Sequence, residues 1–293
     1  MFLYFGQVHP VDIAFIEAGM GGLHDSTNLF SPLAVICPSI GLDHQAVLGN
    51  THAEIATEKA GVLKNGASFI YATDRTDVRD VFKQKANEEG SKTYELGKDF
   101  TAEGSSHSFD FIYKEQRLEG IALAMAGQHQ VANASLAIMA SLLLQKDYPK
   151  VTPELIKDAL AHASWLGRTE FLMPNLMIDG AHNNESVKVL IDLLRSEYAD
   201  KDIELLFAAI DTKPIDSMLA QLESVGDLTV TSFEYPNSVK LDKYPVTYKQ
   251  VSDFQTWIEE HVTANDDKLY VITGSLYFIS QVRKWILEQE SAV

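Results

Sequence analysis

Short apolar runs alternate with amphipathic stretches along most of this chain, and that alternation admits few folds other than α/β with mostly parallel sheets. Val11–Ile16 reads as a first strand that runs into a glycine-rich turn, and residues 33–37 read as a second, followed by Ser39 to His44. From His52 to Leu63 the apolar residues Ile55, Ala56, Ala60 and Leu63 fall at helical spacing, and Ser68–Tyr71 returns as a strand. Phe109 to Ala124 carries two β-rich runs around Lys114-Glu115-Gln116, the pattern of an antiparallel hairpin. Helices are expected from about Val131 to Gln145 and from Pro153 to near Ala163. A second α/β series follows. Its strands are read at 176–178, 203–210, 228–232 and 268–273, and its helices at 185–198, 214–222, 254–262 and after Gly274-Ser275.

At 293 residues the chain is long enough for two domains at roughly 150 residues each. A linker around Gly167 sets the expected division: a first domain over 1–163, a linker at 164–167 and a second domain over 168–293. The net charge of −17 opposes a phosphate backbone, so nucleic acid is excluded as a general partner, although local cations still allow a small anionic substrate. Cys37 is the one cysteine, which rules out an internal disulfide and suits a reducing compartment. There is no basic n-region with a cleavage site and no apolar run long enough for a bilayer, so a soluble, cytoplasmic protein with no membrane partner is expected.

Several polar clusters stand immediately after apolar strands, where open parallel sheets form ligand crevices. Glu17-Ala18-Gly19-Met20-Gly21-Gly22 precedes Asp25-Ser26-Thr27-Asn28. Glu17 is expected to end a buried strand, where a lone carboxylate needs a cation or metal, and the glycines let backbone amides approach an anion. A tight turn with a salt-bridged Glu17 accounts for the same residues. Asp43-His44 is ambiguous, because histidine suits magnesium poorly. Lys59, mid-helix, reads equally as a solvated lysine. Asp179-Gly180-Ala181-His182-Asn183 turns from a strand into a helix start, a place that favours anions, although an Asx turn with an N-cap fits too. Thr273-Gly274-Ser275 ends the last strand in a similar way. No GxxxxGK[ST] occurs in the sequence.

The order and spacing of these motifs resemble the folylpolyglutamate synthase and dihydrofolate synthase family, relatives of the Mur cell-wall ligases. The stretches that carry the resemblance are EAGMGGLHDSTN (17–28), SIGLDH (39–44), LGNTHAEIATEKAGVLK (48–64), GQHQVANA (127–134), WLGRTE (165–170), IDGAHN (178–183) and ITGSLYF (272–278). The resemblance implies a partial P-loop-type ATPase domain, mostly parallel sheet with a small β-rich section, followed by a Rossmann-like α/β domain. Catalysis is expected between the two. It implies an ATP-dependent ligase that joins L-glutamate to folate or dihydropteroate through an acyl phosphate, with Mg2+ as metal and Mn2+ as its alternative.

Residue by residue, Glu17 and His44 resemble the family's metal ligands, and Lys59 the lysine that is carbamylated there. Asn133 matches an adenine contact, Arg168 and Asp179 match phosphate or ribose contacts, and His182 lies by the phosphates and the amine. Ser275 and Tyr277 match the region that receives glutamate. Leu23 for the usual arginine, Asn184 for the usual proline, and Asp211-Thr212-Lys213-Pro214 depart from the pattern.

The resemblance also implies that full-length members carry a further strand, a P-loop similar to GTNGKGS and much of the folate-binding loop before the equivalent of Val11. On that reading this chain is weak or inactive alone and self-associates through an exposed sheet edge, whereas full-length members are monomers. The rival readings are a non-catalytic binding remnant and a Mur-type ligase of a cell-wall precursor, the second opposed by TGSLY.

Overall fold

The computed structural model describes residues 6, 8–263 and 266–290. They fall into two compact units, 1–101 and 102–293. The boundary expected at 164–167 lies inside the second of these.

In the first unit β1 (Ala34–Cys37), β2 (Ser68–Tyr71) and β3 (Thr93–Glu95) form a parallel sheet in that order, with Val35 opposite Phe69 and Ile70 opposite Tyr94. A single turn, α1 (Gln45–Leu48), precedes α2 (His52–Ala60) and α3 (Thr76–Glu89). Thr51 and Glu54 start α2 with a reciprocal capping box, which satisfies two backbone donors that a helix start leaves free. Gly90, at φ 65°, closes α3 in the left-handed conformation that glycine adopts without strain. Ala56, Ala60, Val78 and Phe82 from the two helices pack on Val35, Phe69 and Tyr71. The Phe82 ring stands edge-on to Phe69 and Tyr71, with centroids 4.9 and 5.0 Å away, a geometry that favours the aromatic quadrupoles.

The strand expected at Val11–Ile16 does not form. These residues have no ladder partner among the described residues, and Phe15 is 91% exposed. β-propensity describes fit to a paired, half-buried surface, and among the described residues this segment pairs with no strand and its side chains are exposed. Glu17 therefore does not end a buried strand; it stands exposed in an irregular segment.

In the second unit β4 (Thr101–Ser105), β5 (Ser108–Tyr113) and β6 (Gln116–Ile121) form a small sheet in which β5 and β6 make the expected hairpin around Lys114. Helices α4 (Gln128–Leu144) and α5 (Pro153–His162) follow. The six-stranded sheet has the order β11 (Lys249–Gln250), β10 (Asp227–Val230), β9 (Asp202–Phe207), β12 (Lys268–Thr273), β8 (Leu176–Ile178), β7 (Glu170–Met173). All its neighbours are parallel except the β7–β8 hairpin. Helices α6 (Asn184–Glu197) and α7 (Ile215–Leu222) contribute to one core, and α8 (Phe254–His261) and α9 (Leu276–Glu290) to the other. β12 lies between β9 and β8, and Leu269 to Thr273 are buried, as a central parallel strand covered on both faces requires.

The strand expected to reach residue 210 stops at Phe207. Ala208 donates instead to the Thr273 carbonyl (3.2 Å) and Ala209 to the Tyr244 hydroxyl (3.1 Å), so the chain leaves the ladder without leaving a buried amide unpaired. Among the described residues no helix is long and apolar enough to cross a membrane.

Candidate active site

The first unit gathers three of the sequence motifs around the end of β1. Leu23 donates its amide to the carbonyl of Glu58 at 2.8 Å, which fastens the glycine loop to α2 next to Lys59. The fit requires glycine. A Cβ on Gly22 would stand 2.8 Å from the carbonyl oxygens of both Glu58 and Lys59, and Gly21 adopts φ 67° against the Leu48 side chain. Lys59 is half-buried. It acts electrostatically on Cys37 at the end of β1, opposing the burial that pushes that thiol up to about 11.

Asp25, Thr27 and Asn28 are occupied in building this loop. Asp25 accepts the amides of Gly19 (2.9 Å), Met20 (3.0 Å) and Thr27 (2.8 Å) and the Thr27 hydroxyl (2.6 Å). The hydroxyl and then the amides hold its carboxyl well below the usual range. Asn28 donates to the carbonyls of Leu23 (3.0 Å) and Gly61 (3.2 Å). His44 precedes α1 at φ 54°, with its amide on the Asp43 carboxylate at 2.8 Å and its ring exposed.

Glu17 and His44 offer one carboxylate and one imidazole. Among the described residues no group of three His, Cys, Asp or Glu side chains could hold a metal. The Glu17 carboxylate is an oxygen ligand of the kind magnesium takes, whereas the His44 imidazole suits that ion poorly, so water and phosphate would have to supply most of its coordination.

The second unit builds its cluster where β8 and β12 end. Asp179, 8% exposed, follows β8 directly. Its Oδ2 accepts the Thr169 amide (2.9 Å) and its Oδ1 the Ala181 amide (2.9 Å), the latter an Asx turn. Burial raises the Asp179 carboxyl despite these donors and the nearby Arg168. Gly180 donates to the Gly167 carbonyl at 2.8 Å, so the WLGRTE loop and the DGAHN turn are one structure. Glu170 anchors that loop: it accepts the Gly167 amide (2.7 Å) on one oxygen and the Arg283 guanidinium (2.8 Å) on the other.

His182 Nδ1 lies 2.8 Å from the Gly180 carbonyl. A carbonyl only accepts, so Nδ1 carries the hydrogen, and in the neutral ring Nε2 keeps its lone pair. Asn183 then caps α6 by accepting the Ser186 amide at 2.8 Å, so the N-cap that the sequence allowed as an alternative is present. Gly274, at φ 113°, donates to the Ala181 carbonyl (3.1 Å) and ties the end of β12 to the same turn. Ser275 is buried, whereas Tyr277 is half-exposed and stacks on Tyr235 with centroids 4.2 Å apart.

Asn133 is exposed on α4, one turn after His129, and donates to Gln130 at 3.2 Å. His129 was not singled out from sequence. It interacts electrostatically with both Asp179 and Arg168, and burial lowers its pKa. Thr169 and Glu170 were also missed. All three lie in the quoted stretches GQHQVANA and WLGRTE, so the available signal was their place in a motif; each also has a partner outside its own stretch, Asp179 or Arg283.

The chain is similar to known proteins over nearly its whole length. Residues 3–141 match the Mur ligase middle domain. The chain is 34% identical, over 97% of its length and 69% of the relative's, to a dihydrofolate synthase/folylpolyglutamate synthase of Bacillus subtilis. It is 30% identical, over 98% of its length and 70% of the relative's, to a folylpolyglutamate synthase of Lacticaseibacillus casei. A solved FPGS–AMPPCP–folate complex superimposes with a TM-score of 0.82 at 27% identity, covering 98% of this chain and 68% of that one.

Proposed function

We infer that this chain, which belongs to the dihydrofolate synthase/folylpolyglutamate synthase family, is an ATP-dependent ligase that adds L-glutamate to a folate-type acid in the cytoplasm. The observation that carries the reading is the buried Asp179, held by the Thr169 and Ala181 amides beside Arg168 at the carboxyl end of β8. That is the end of a parallel sheet at which nucleotides dock. A relative's complex with AMPPCP and folate supports the same ligands here.

In the reaction the acid's carboxylate attacks the γ-phosphate of ATP, forming an acyl phosphate and releasing ADP. The amine of glutamate then attacks the acyl carbon, the amide bond forms, and phosphate leaves. Arg168 offsets phosphate charge, and Asp179 accepts a ribose hydroxyl. Asn133 contacts the adenine from α4. With Nδ1 turned to the Gly180 carbonyl, His182 presents Nε2 as the ring nitrogen that takes a proton from the attacking amine. Ser275 and Tyr277 orient the glutamate. Glu17 and His44 would hold magnesium, which supplies charge neutralisation at the phosphates when bound. A carbamate on Lys59 would convert that cation to an anion.

The test is to incubate purified chain at high concentration with Mg-ATP, glutamate and folate or dihydropteroate labelled with 18O in its carboxylate. ADP should form only when acid and glutamate are both present, and one labelled oxygen should appear in the phosphate. Unlabelled phosphate, or release of AMP, would rule out the acyl-phosphate ligase.

A further inference from the structure

Strands β10, β9 and β12 run parallel as neighbours, so each releases its loop at the end of the sheet where Asp179 follows β8. Tyr277 stands just beyond β12, in the first turn of α9. The loop after β10 spans the width of β9 to meet it, and brings a second tyrosine, Tyr235, onto its ring.

That loop is fixed at several points. Gln281, one turn after Tyr277 on α9, donates to the Glu234 carbonyl at 2.9 Å. Asp211 donates its amide to the Asn237 carbonyl (2.9 Å), and Val239 its amide to the Ala209 carbonyl (2.9 Å). Phe233 is buried against Phe278, with ring centroids 5.4 Å apart. The Tyr235 ring lies 18° from parallel to both Phe233, at 6.0 Å, and Tyr277, at 4.2 Å. The Tyr277 hydroxyl beside it raises the Tyr235 phenol.

Tyr277 is 49% exposed. A tyrosine so open to solvent otherwise moves among several rotamers. Stacked aromatic pairs attract each other beyond the area they bury, so a fixed Tyr235 selects one of these rotamers. Ser275, two residues before Tyr277, is buried and needs no such brace.

We propose that Tyr235 is a positioning residue: it holds the Tyr277 side chain in the orientation that receives the incoming amino acid, and acts on that amino acid only through Tyr277. The proposal rests on the ligase reading, in which Ser275 and Tyr277 orient glutamate.

The test titrates L-glutamate into the full chain with 13C-labelled tyrosine rings, and reads the Tyr277 resonance and the glutamate affinity together. Tyr235→Leu, at a half-buried loop position, keeps an apolar group on Phe233 and the fold. It should move the Tyr277 resonance, because the ring current of the neighbour is lost, and weaken glutamate about tenfold. Tyr235→Phe keeps the stack and should keep the parent's resonance and affinity. In a Tyr277→Ala background, Tyr235→Leu should have no further effect, since a residue that acts through another then has nothing to act on. The same loss in that background would overturn the proposal, and so would parent-like affinity in Tyr235→Leu. A parent chain that binds no glutamate would instead count against the ligase reading, and the proposal would fall with it.

Discussion

The Thr169 amide donates to Asp179 Oδ2 across 2.9 Å, joining the loop before β7 to the turn after β8. Thr169 adopts φ 48° to do so, an uncommon conformation for a β-branched residue. Together with the Gly180-to-Gly167 bond, this contact holds Arg168 beside a buried carboxylate. The position of Arg168 therefore depends on Asp179 as much as on its own loop.

Asp179→Asn puts an amide NH2 where one oxygen now accepts a backbone N–H. One hydrogen bond is lost and two donors face each other inside the protein. We expect a loss of about 1–3 kcal/mol, read as a lower thermal midpoint in calorimetry. A midpoint equal to the parent's would mean that the Thr169 and Ala181 contacts contribute no stability.

A half-buried histidine and a buried carboxyl, shifted in opposite directions, should shape the pH dependence of stability. Burial lowers His129 from 6.5, so the unfolded chain binds more protons than the native one just below that value. Stability should thus fall as pH drops through 6.5 towards the folded value. Asp179 is raised from 3.8, so the native state holds its proton more tightly, and its contribution declines as pH rises above that figure. Denaturant melts of His129→Gln at a series of pH values should show a flatter slope below neutrality than the parent; an unchanged slope would remove His129 from the account.

Gly22→Ala forces a methyl group to within 2.8 Å of two α2 carbonyls. The loop or the helix must move, at a cost of about 1–3 kcal/mol. Hydrogen exchange should report the loss in the amides of residues 19–28 and 52–60. If these amides keep their protection, the loop does not depend on this close approach.

Val11, Phe15, Leu29 and Leu33 are exposed, and β1 is an edge strand with Ile36 partly open. Exposed apolar side chains, and a strand that among the described residues pairs on one side only, favour association between copies. Sedimentation velocity should show concentration-dependent self-association, which Phe15→Ser weakens by about tenfold or more. A single monomeric species at high concentration would contradict this.

Much of the fold was legible because its determinants are local. The runs at 68–71, 176–178 and 268–273 are bounded by turn residues and coincide with β2, β8 and β12. Asn183, Thr51 and Pro153 start helices through short-range chemistry that a sequence displays directly. Residues 72–108 received no reading, yet they hold α3, β3 and β4. There the apolar positions are few, and α3 is secured by packing of Val78, Phe82 and Ala86 against β2.

The sequence by itself determined the α/β alternation, the helix starts, the hairpin at Lys114 and the motif positions Lys59, Arg168, Asp179 and His182. Only the tertiary structure decided that Val11–Ile16 is no strand, since a strand requires a neighbour to pair with. It also decided that Asp25 is consumed by its own loop and that His129 comes within electrostatic range of Asp179 and Arg168. Glu170 was found to brace Gly167 against Arg283, a residue 113 positions away in the chain. Periodicity reports which side chains share a face of one element, whereas burial and pairing between elements depend on where the chain returns.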